Sequence, residues 1–165
     1  MQHKFDAPVS GAVADSNYKY AIVASPTHPD AQELLAFWNA RPADGIVIGR
    51  DVPSRKIANL LSHIAIYEPV DGRRDFRVRL AGNSVRGRYG SDIKGKLMSE
   101  LFDPDPFHHH LRKTLEVLDN EAPMILDSHL VSGVVEKLHT EVVIVPVWSS
   151  DRGSKWVLAG FFYFN

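Results

Sequence analysis

The side chains best equipped for chemistry in this chain are histidines and carboxylates, because it has no cysteine. That absence excludes disulfides, thiolate zinc sites, cysteine nucleophiles and covalent flavin photochemistry. Phe107-His108-His109-His110 opens an apolar-faced helix. Measured from Phe107, His109 points about 200° away, toward water, while His108 and His110 lie about 80° to either side of the apolar centre. They are the candidates for metal ligation here, and a flanking, partly exposed histidine cluster is the favoured reading. Asp127 and His129 share one strand face at i, i+2. They could form an acid/base pair or two metal ligands, with His139 across the hairpin. A third ligand of the right type is not evident, and outward polar alternation against Ile125 and Leu126 is favoured. Arg73 and Arg77 with Asp127-Ser128 suggest a cyclic-dinucleotide site. Such a site needs serine two residues after the aspartate, where this chain has His129. No glycine-rich phosphate loop, zinc-protease helix or nucleophile elbow is present.

The elements that must position these groups can be read from punctuation and periodicity. Asp30 and Glu33 suit a capping box, and Ala31, Leu34, Leu35 and Trp38 follow at helical spacing. Pro42 ends that helix. Arg50-Asp51-Val52-Pro53-Ser54 offers a second cap, with Pro53 early in a helix whose apolar face is Ile57, Leu60, Leu61 and Ile64; Ile64 to Glu68 reads alternatively as the start of the first strand. Asp71-Gly72 is a turn before a strand carrying Phe76, Val78 and Leu80. Short helical pieces follow around Val85–Tyr89 and Leu97–Phe102. Asp105-Pro106 caps the longest helix, to about Asn120, with Phe107, Leu111, Thr114, Leu115 and Leu118 on one face. Strands then run from Met124, Val134 and Lys155, joined by tight turns that imply antiparallel neighbours. Tyr18 to Ala24 is a short strand or an ordered lead-in.

The closing strand is apolar on both faces. Trp156, Leu158, Gly160, Phe162 and Phe164 point one way; Val157, Ala159, Phe161 and Tyr163 point the other. An antiparallel strand with a solvated face alternates polar with apolar residues, so both faces of this one need cover.

The 165 residues suit one domain, and a net charge of −1 gives no general attraction for phosphate backbones. Nucleic acid is therefore not an expected partner. No apolar run approaches the ~18 residues of a membrane span, and residues 1–17 lack the pattern of a signal peptide. The expected location is the cytoplasm.

The order of two strands, short helices, one longer helix and three closing strands resembles a PAS domain. Arg79-Leu80-Ala81-Gly82-Asn83, leading to Tyr89-Gly90-Ser91-Asp92-Ile93-Lys94-Gly95-Lys96-Leu97, carries the local likeness. A bacterial subfamily with an upstream tryptophan helix is similar through Trp38, Asp44-Gly45, Arg50-Asp51-Val52-Pro53, Leu60-Leu61, Ile64 and Thr140 to Val147. The resemblance implies an α+β fold: a PAS-like five-stranded antiparallel sheet with helices on one face and an N-terminal helical extension. Residues 1–28 would be a flexible or partly ordered extension, and 29–165 the PAS-like domain.

It further implies a non-enzymatic sensory or regulatory module that binds a small ligand, a protein partner or both, and that dimerises. The pattern fixes no catalytic residues. Ligand-pocket candidates are Phe76, Val78, Tyr89, Leu97, Leu111, Leu115, Leu158 and Phe162. Candidates for docking the upstream helix or a second copy are Leu34, Leu35, Trp38, Phe161 and Tyr163. PAS proteins that bind haem use a histidine on the longer helix; no histidine here holds the middle of the buried face, so haem is disfavoured and the cofactor is left unassigned. The sequence ends just after the last strand, so output is expected through dimerisation or docking on a signalling partner. Two alternatives are a small cone-shaped α+β enzyme of isomerase or dehydratase type using Asp127 and His129, and a ligand-free scaffolding domain. An apolar pocket of roughly 300 Å³ or more favours sensing; a filled core favours scaffolding.

Overall fold

The computed structural model describes residues 16–165. Residues 1–15 of the expected extension lie outside the described residues. The remainder of that extension is largely ordered, because Ser16–Val23 forms a strand, β1. Helix α1 (Pro29–Asn39) and a 3₁₀ segment (Arg55–His63) follow. Next come β2 (Ile64–Val70), β3 (Asp75–Ala81) and the helices α2 (Asn83–Tyr89), α3 (Met98–Leu101) and α4 (Pro104–Asn120). Strands β4 (Met124–Ser132), β5 (Val135–Trp148) and β6 (Lys155–Tyr163) close the chain.

The sheet is antiparallel with order β1-β4-β5-β6-β2-β3. The expected α+β sheet is present, with β1 added as a sixth strand along β4. Helices cover both faces. One core gathers α2, α3 and α4 over Tyr67, Phe76, Val78, Leu126, Val157 and Ala159. The other gathers α1 and the 3₁₀ segment over Ile64, Ile125, Val143, Val145, Leu158 and Phe162.

Helix α1 begins at Pro29, earlier than the Asp30 cap expected. His28 is the N-cap, and its Nδ1 accepts the Asp30 amide at 3.1 Å. Its Nε2 lies 3.2 Å from the Tyr163 carbonyl, so the neutral ring serves both contacts with its one N–H on Nε2. Pro29 suits the first helical position because it brings no amide to satisfy. Pro53 differs in the same way from its expected place. It precedes the helical segment, whose N-cap is Ser54.

Buried Leu34 and Trp38 dock α1 on the sheet. Each stabilises the docking by roughly 2 kcal/mol through removal of apolar surface from water. Trp38 Nε1 donates to the Pro146 carbonyl at 3.0 Å, and the Arg41 guanidinium lies 3.6 Å above its ring. Gly160 permits the close approach: a Cβ there would lie 2.6 Å from Leu34 Cδ2. Glu141, 1% exposed, anchors the helix entry by accepting the Thr27 and His28 amides at 2.8–3.0 Å and the Thr27 hydroxyl at 3.3 Å.

The Asp44-Gly45…Arg50-Asp51 pattern builds a loop rather than a reactive site. Asp51 accepts the Val47 amide at 2.8 Å, and Arg50 bridges Asp44 and Asp51. The Arg50 hydrogen bond holds both carboxyls below their usual range. The loop is tied to the end of β5 through Trp148 N to Ile46 O and Ile48 N to Trp148 O.

Candidate functional site

A polar row crosses the sheet beneath α2 and α4. Tyr20 of β1 stands opposite Ser128 of β4, Ser128 opposite Thr140 of β5, and Thr140 opposite Tyr163 of β6. Residues directly opposite share a sheet face, so this register brings their side chains together. Val85, Arg88 and Tyr89 from α2 and His110 from α4, with Tyr18, Val142 and Phe161 of the sheet, join them in lining a cavity of about 70 Å³.

Thr140 is 5% exposed. Among the described residues, neither Thr140 Oγ1 nor Tyr163 Oη has a hydrogen-bond partner. A buried hydroxyl without a partner costs roughly 1–3 kcal/mol, so these two groups call for an occupant. Arg88 Nη2 donates to the Tyr18 hydroxyl at 3.3 Å, and its guanidinium lies 4.4 Å from the Tyr163 ring centre. Arg88 thus meets Tyr163 over the face of its ring.

The protonation states favour a neutral wall with one cation. Burial, aided by the nearby His109 and Lys113, lowers the His110 pKa to about 4. His110 is therefore uncharged near neutrality and offers one donor and one acceptor. Its ring packs 4.5 Å from Phe102 and 5.8 Å from Tyr20. Burial also raises the Tyr89 and Tyr163 hydroxyl pKa values, keeping both protonated. The cavity volume holds water or a ligand of a few heavy atoms; it falls below the ~300 Å³ expected of a sensing pocket, because core side chains such as Phe76 and Val78 fill the space beside it, as the scaffolding alternative expects.

Of the expected pocket residues, Tyr89 lines this cavity. Phe76 and Val78 are fully buried in the core beside it, and Leu111 and Leu115 pack against that core. Leu97 is half-buried at the outer edge, bridged to Arg77. The two faces of β6 are the reverse of the expected ones. Leu158 and Phe162 pack on the Trp38 side, whereas Phe161 and Tyr163 line the cavity. The physical reason is that a strand apolar on both sides carries no pattern to tell one face from the other. Leu34 and Trp38 are members of the core on the α1 face, with Leu35 packed against it. With α1 and the 3₁₀ segment there, that face of β6 is covered within the chain.

His108 is exposed, and His109 approaches Lys113 at 2.6 Å. The histidine that matters to the cavity is His110. Thr140, Ser128 and Arg88 were not among the expected pocket residues. The available signal was a hydroxyl residue with apolar residues two positions away on the same face, Leu126 and Leu130 about Ser128 and Leu138 and Val142 about Thr140, but only the register reveals that the hydroxyls meet.

Asp127 and His129 lie on the opposite face of the sheet, and His139 joins them. His129 Nε2 is 2.9 Å from Asp127 Oδ2, and His139 Nε2 is 2.5 Å from Asp127 Oδ1. His139, expected across the hairpin, is the direct cross-strand partner of His129. Burial alone would raise the Asp127 pKa, but hydrogen bonds from His139 and His129 outweigh it and the net shift is downward. The Glu136 and Asp127 carboxylates raise that of His129.

An antiparallel sheet with helices packed on both faces defines an α+β domain. A PAS-domain family model matches residues 26–162, and the chain belongs to the PAS domain family. PAS domains are in general sensory or regulatory modules. No curated protein and no solved structure matches the chain significantly. Among the described residues, no helix is long and apolar enough to cross a membrane.

Proposed function

We propose that this PAS domain is a non-enzymatic sensory module whose cavity beneath α2 and α4 takes a small polar ligand. The observation that carries this reading is the pair of partnerless hydroxyls, Thr140 Oγ1 and Tyr163 Oη, bordering the cavity. Arg88 supplies the positive charge at that wall, so the ligand class is a short oxygen-rich acceptor, of which a small carboxylate is the type. The hydroxyls and neutral His110 orient it by hydrogen bonds, and Arg88 offsets its charge. A volume of about 70 Å³ excludes larger ligands from this conformation.

The enzyme alternative required Asp127 and His129 in an enclosed polar pocket. They stand across the sheet from the cavity, with side chains about 30% exposed, as 29% and 32%. This arrangement favours the sensory reading. Response to the ligand is transmitted through β4, β5 and β6, which carry Ser128, Thr140 and Tyr163, to a second copy or a signalling partner in the cytoplasm.

Native mass spectrometry of the purified chain, with and without acetate, tests the ligand and the subunit count together. The expected result is a ligand adduct lost in a Thr140→Val, Tyr163→Phe double variant. An adduct equally abundant in that folded variant, or none in the wild type at millimolar acetate, would refute the cavity assignment.

A further inference from the structure

We propose that Asp127, His129 and His139 form a divalent transition-metal site on the sheet face opposite the cavity. The site follows from register. His129 and His139 are direct cross-strand partners in the β4–β5 hairpin, and Asp127 lies two residues from His129 on the same face. Their rings stack with centres 4.0 Å apart. One ligating atom from each of these residues can be chosen so that all lie within 4.8 Å of one another. Bonds of about 2.0–2.1 Å to an ion in tetrahedral geometry need donor separations near 3.3 Å. Small side-chain rotations on a fixed hairpin supply that geometry.

The surrounding contacts match what a metal-binding histidine requires. Glu136 Oε1 is 2.6 Å from His129 Nδ1, so that nitrogen donates its proton outward to a carboxylate. This leaves Nε2 to face Asp127 and His139. Metal-bound histidines commonly have such a carboxylate on the other ring nitrogen, which fixes the ring and raises its basicity. Phe164 stacks on His139 with centres 4.1 Å apart and backs the second ring. A divalent ion would take the place of the Asp127–His129 and Asp127–His139 contacts, using the same carboxylate and imidazole atoms that already face one another.

The side chains of Asp127, His129 and His139 are 29%, 32% and 29% exposed, leaving open positions for water or an outside ligand. Two imidazoles and one carboxylate suit zinc and its first-row neighbours rather than calcium or magnesium, which prefer oxygen alone. Lys19 stands opposite His129 on β1 and is exposed to solvent, so its charge is well screened. Ser128 lies between Asp127 and His129, and Thr140 between His139 and Glu141, so the same strands carry metal ligands on one face and cavity hydroxyls on the other.

Titration calorimetry of the full chain with Zn²⁺ near neutral pH tests this. The expected result is one tight ion per chain, with affinity lowered at least ~10-fold by His139→Ala or Asp127→Asn and about 10–100-fold by Glu136→Gln. A His108→Ala, His109→Ala variant should bind as the wild type does. Co²⁺ absorption provides a second readout on each variant, and circular dichroism checks its fold. Absence of Zn²⁺ binding at high micromolar metal would overturn the proposal. So would affinity that follows His108 and His109, or binding unchanged in folded His129→Ala, His139→Ala protein.

Discussion

Replacing Thr140 by valine exchanges a hydroxyl for a methyl group of nearly the same shape. The side chain is 5% exposed, and its Oγ1 has no partner among the described residues. Both residues are β-branched, so the substitution leaves strand preference little altered. Removing a buried unsatisfied hydroxyl recovers part of a desolvation cost of about 1–3 kcal/mol, and the new methyl adds roughly 0.8 kcal/mol of apolar burial. The ligand-free variant should therefore be more stable by about 1–2 kcal/mol. For a chain of this size that raises Tm by about 2–6 °C. Calorimetry on exhaustively dialysed protein measures the shift, and urea unfolding at unchanged m confirms it. Added ligand should close the gap, and reverse the ranking where binding weakens toward ~100-fold, since wild type then gains about 1.3–2.3 kcal/mol more than the variant. Wild type gains about 2.7 kcal/mol at ligand a hundredfold above Kd, while loss of a charge-assisted hydrogen bond weakens binding to the variant by ~10–100-fold. A dialysed Thr140→Val protein that loses 1 kcal/mol or more would refute the reasoning, since the hydroxyl would already have a partner.

Gly82→Ala should cost more than ~3 kcal/mol or prevent folding, read by expression and thermal melting, because its Cβ would lie 2.3 Å from the Leu61 carbonyl oxygen and 2.4 Å from that of Ser62, backbone atoms that cannot rotate away. Glu141→Ala should cost about 3–5 kcal/mol in urea unfolding by stranding the Thr27 and His28 amides, with Glu141→Gln milder. His110 has a native pKa lowered from 6.5 to about 4, so the unfolded chain takes its proton first. Its contribution is complete above pH 6.5 and is lost as pH falls toward 4. The full drop corresponds to about 3 kcal/mol, reduced to about 1–2 kcal/mol because the ring keeps an edge toward solvent. Urea midpoints at neutral and acid pH should show a smaller acid loss in His110→Gln than in wild type; equal losses would contradict the assignment.

The sequence alone determined those features that depend on local pattern. Helical spacing placed Leu34 and Trp38 on a buried stripe, Asp71-Gly72 turned the chain between strands, and the double apolar face of β6 required cover on both sides. Tertiary structure decided which cover went where. Leu158 and Phe162 are as apolar as Val157 and Phe161, so strand periodicity alone could not assign them to the Trp38 helix or to α4. Placing β1 beside β4 required long-range pairing, which a short polar-aromatic segment does not announce. The polar row from Tyr20 to Tyr163 and the Asp127, His129 and His139 cluster arise from the same cause. Their members come from different strands, and only antiparallel register sets them side by side. Local sequence specifies each strand's alternation; three-dimensional pairing decides which hydroxyls, carboxylates and imidazoles meet.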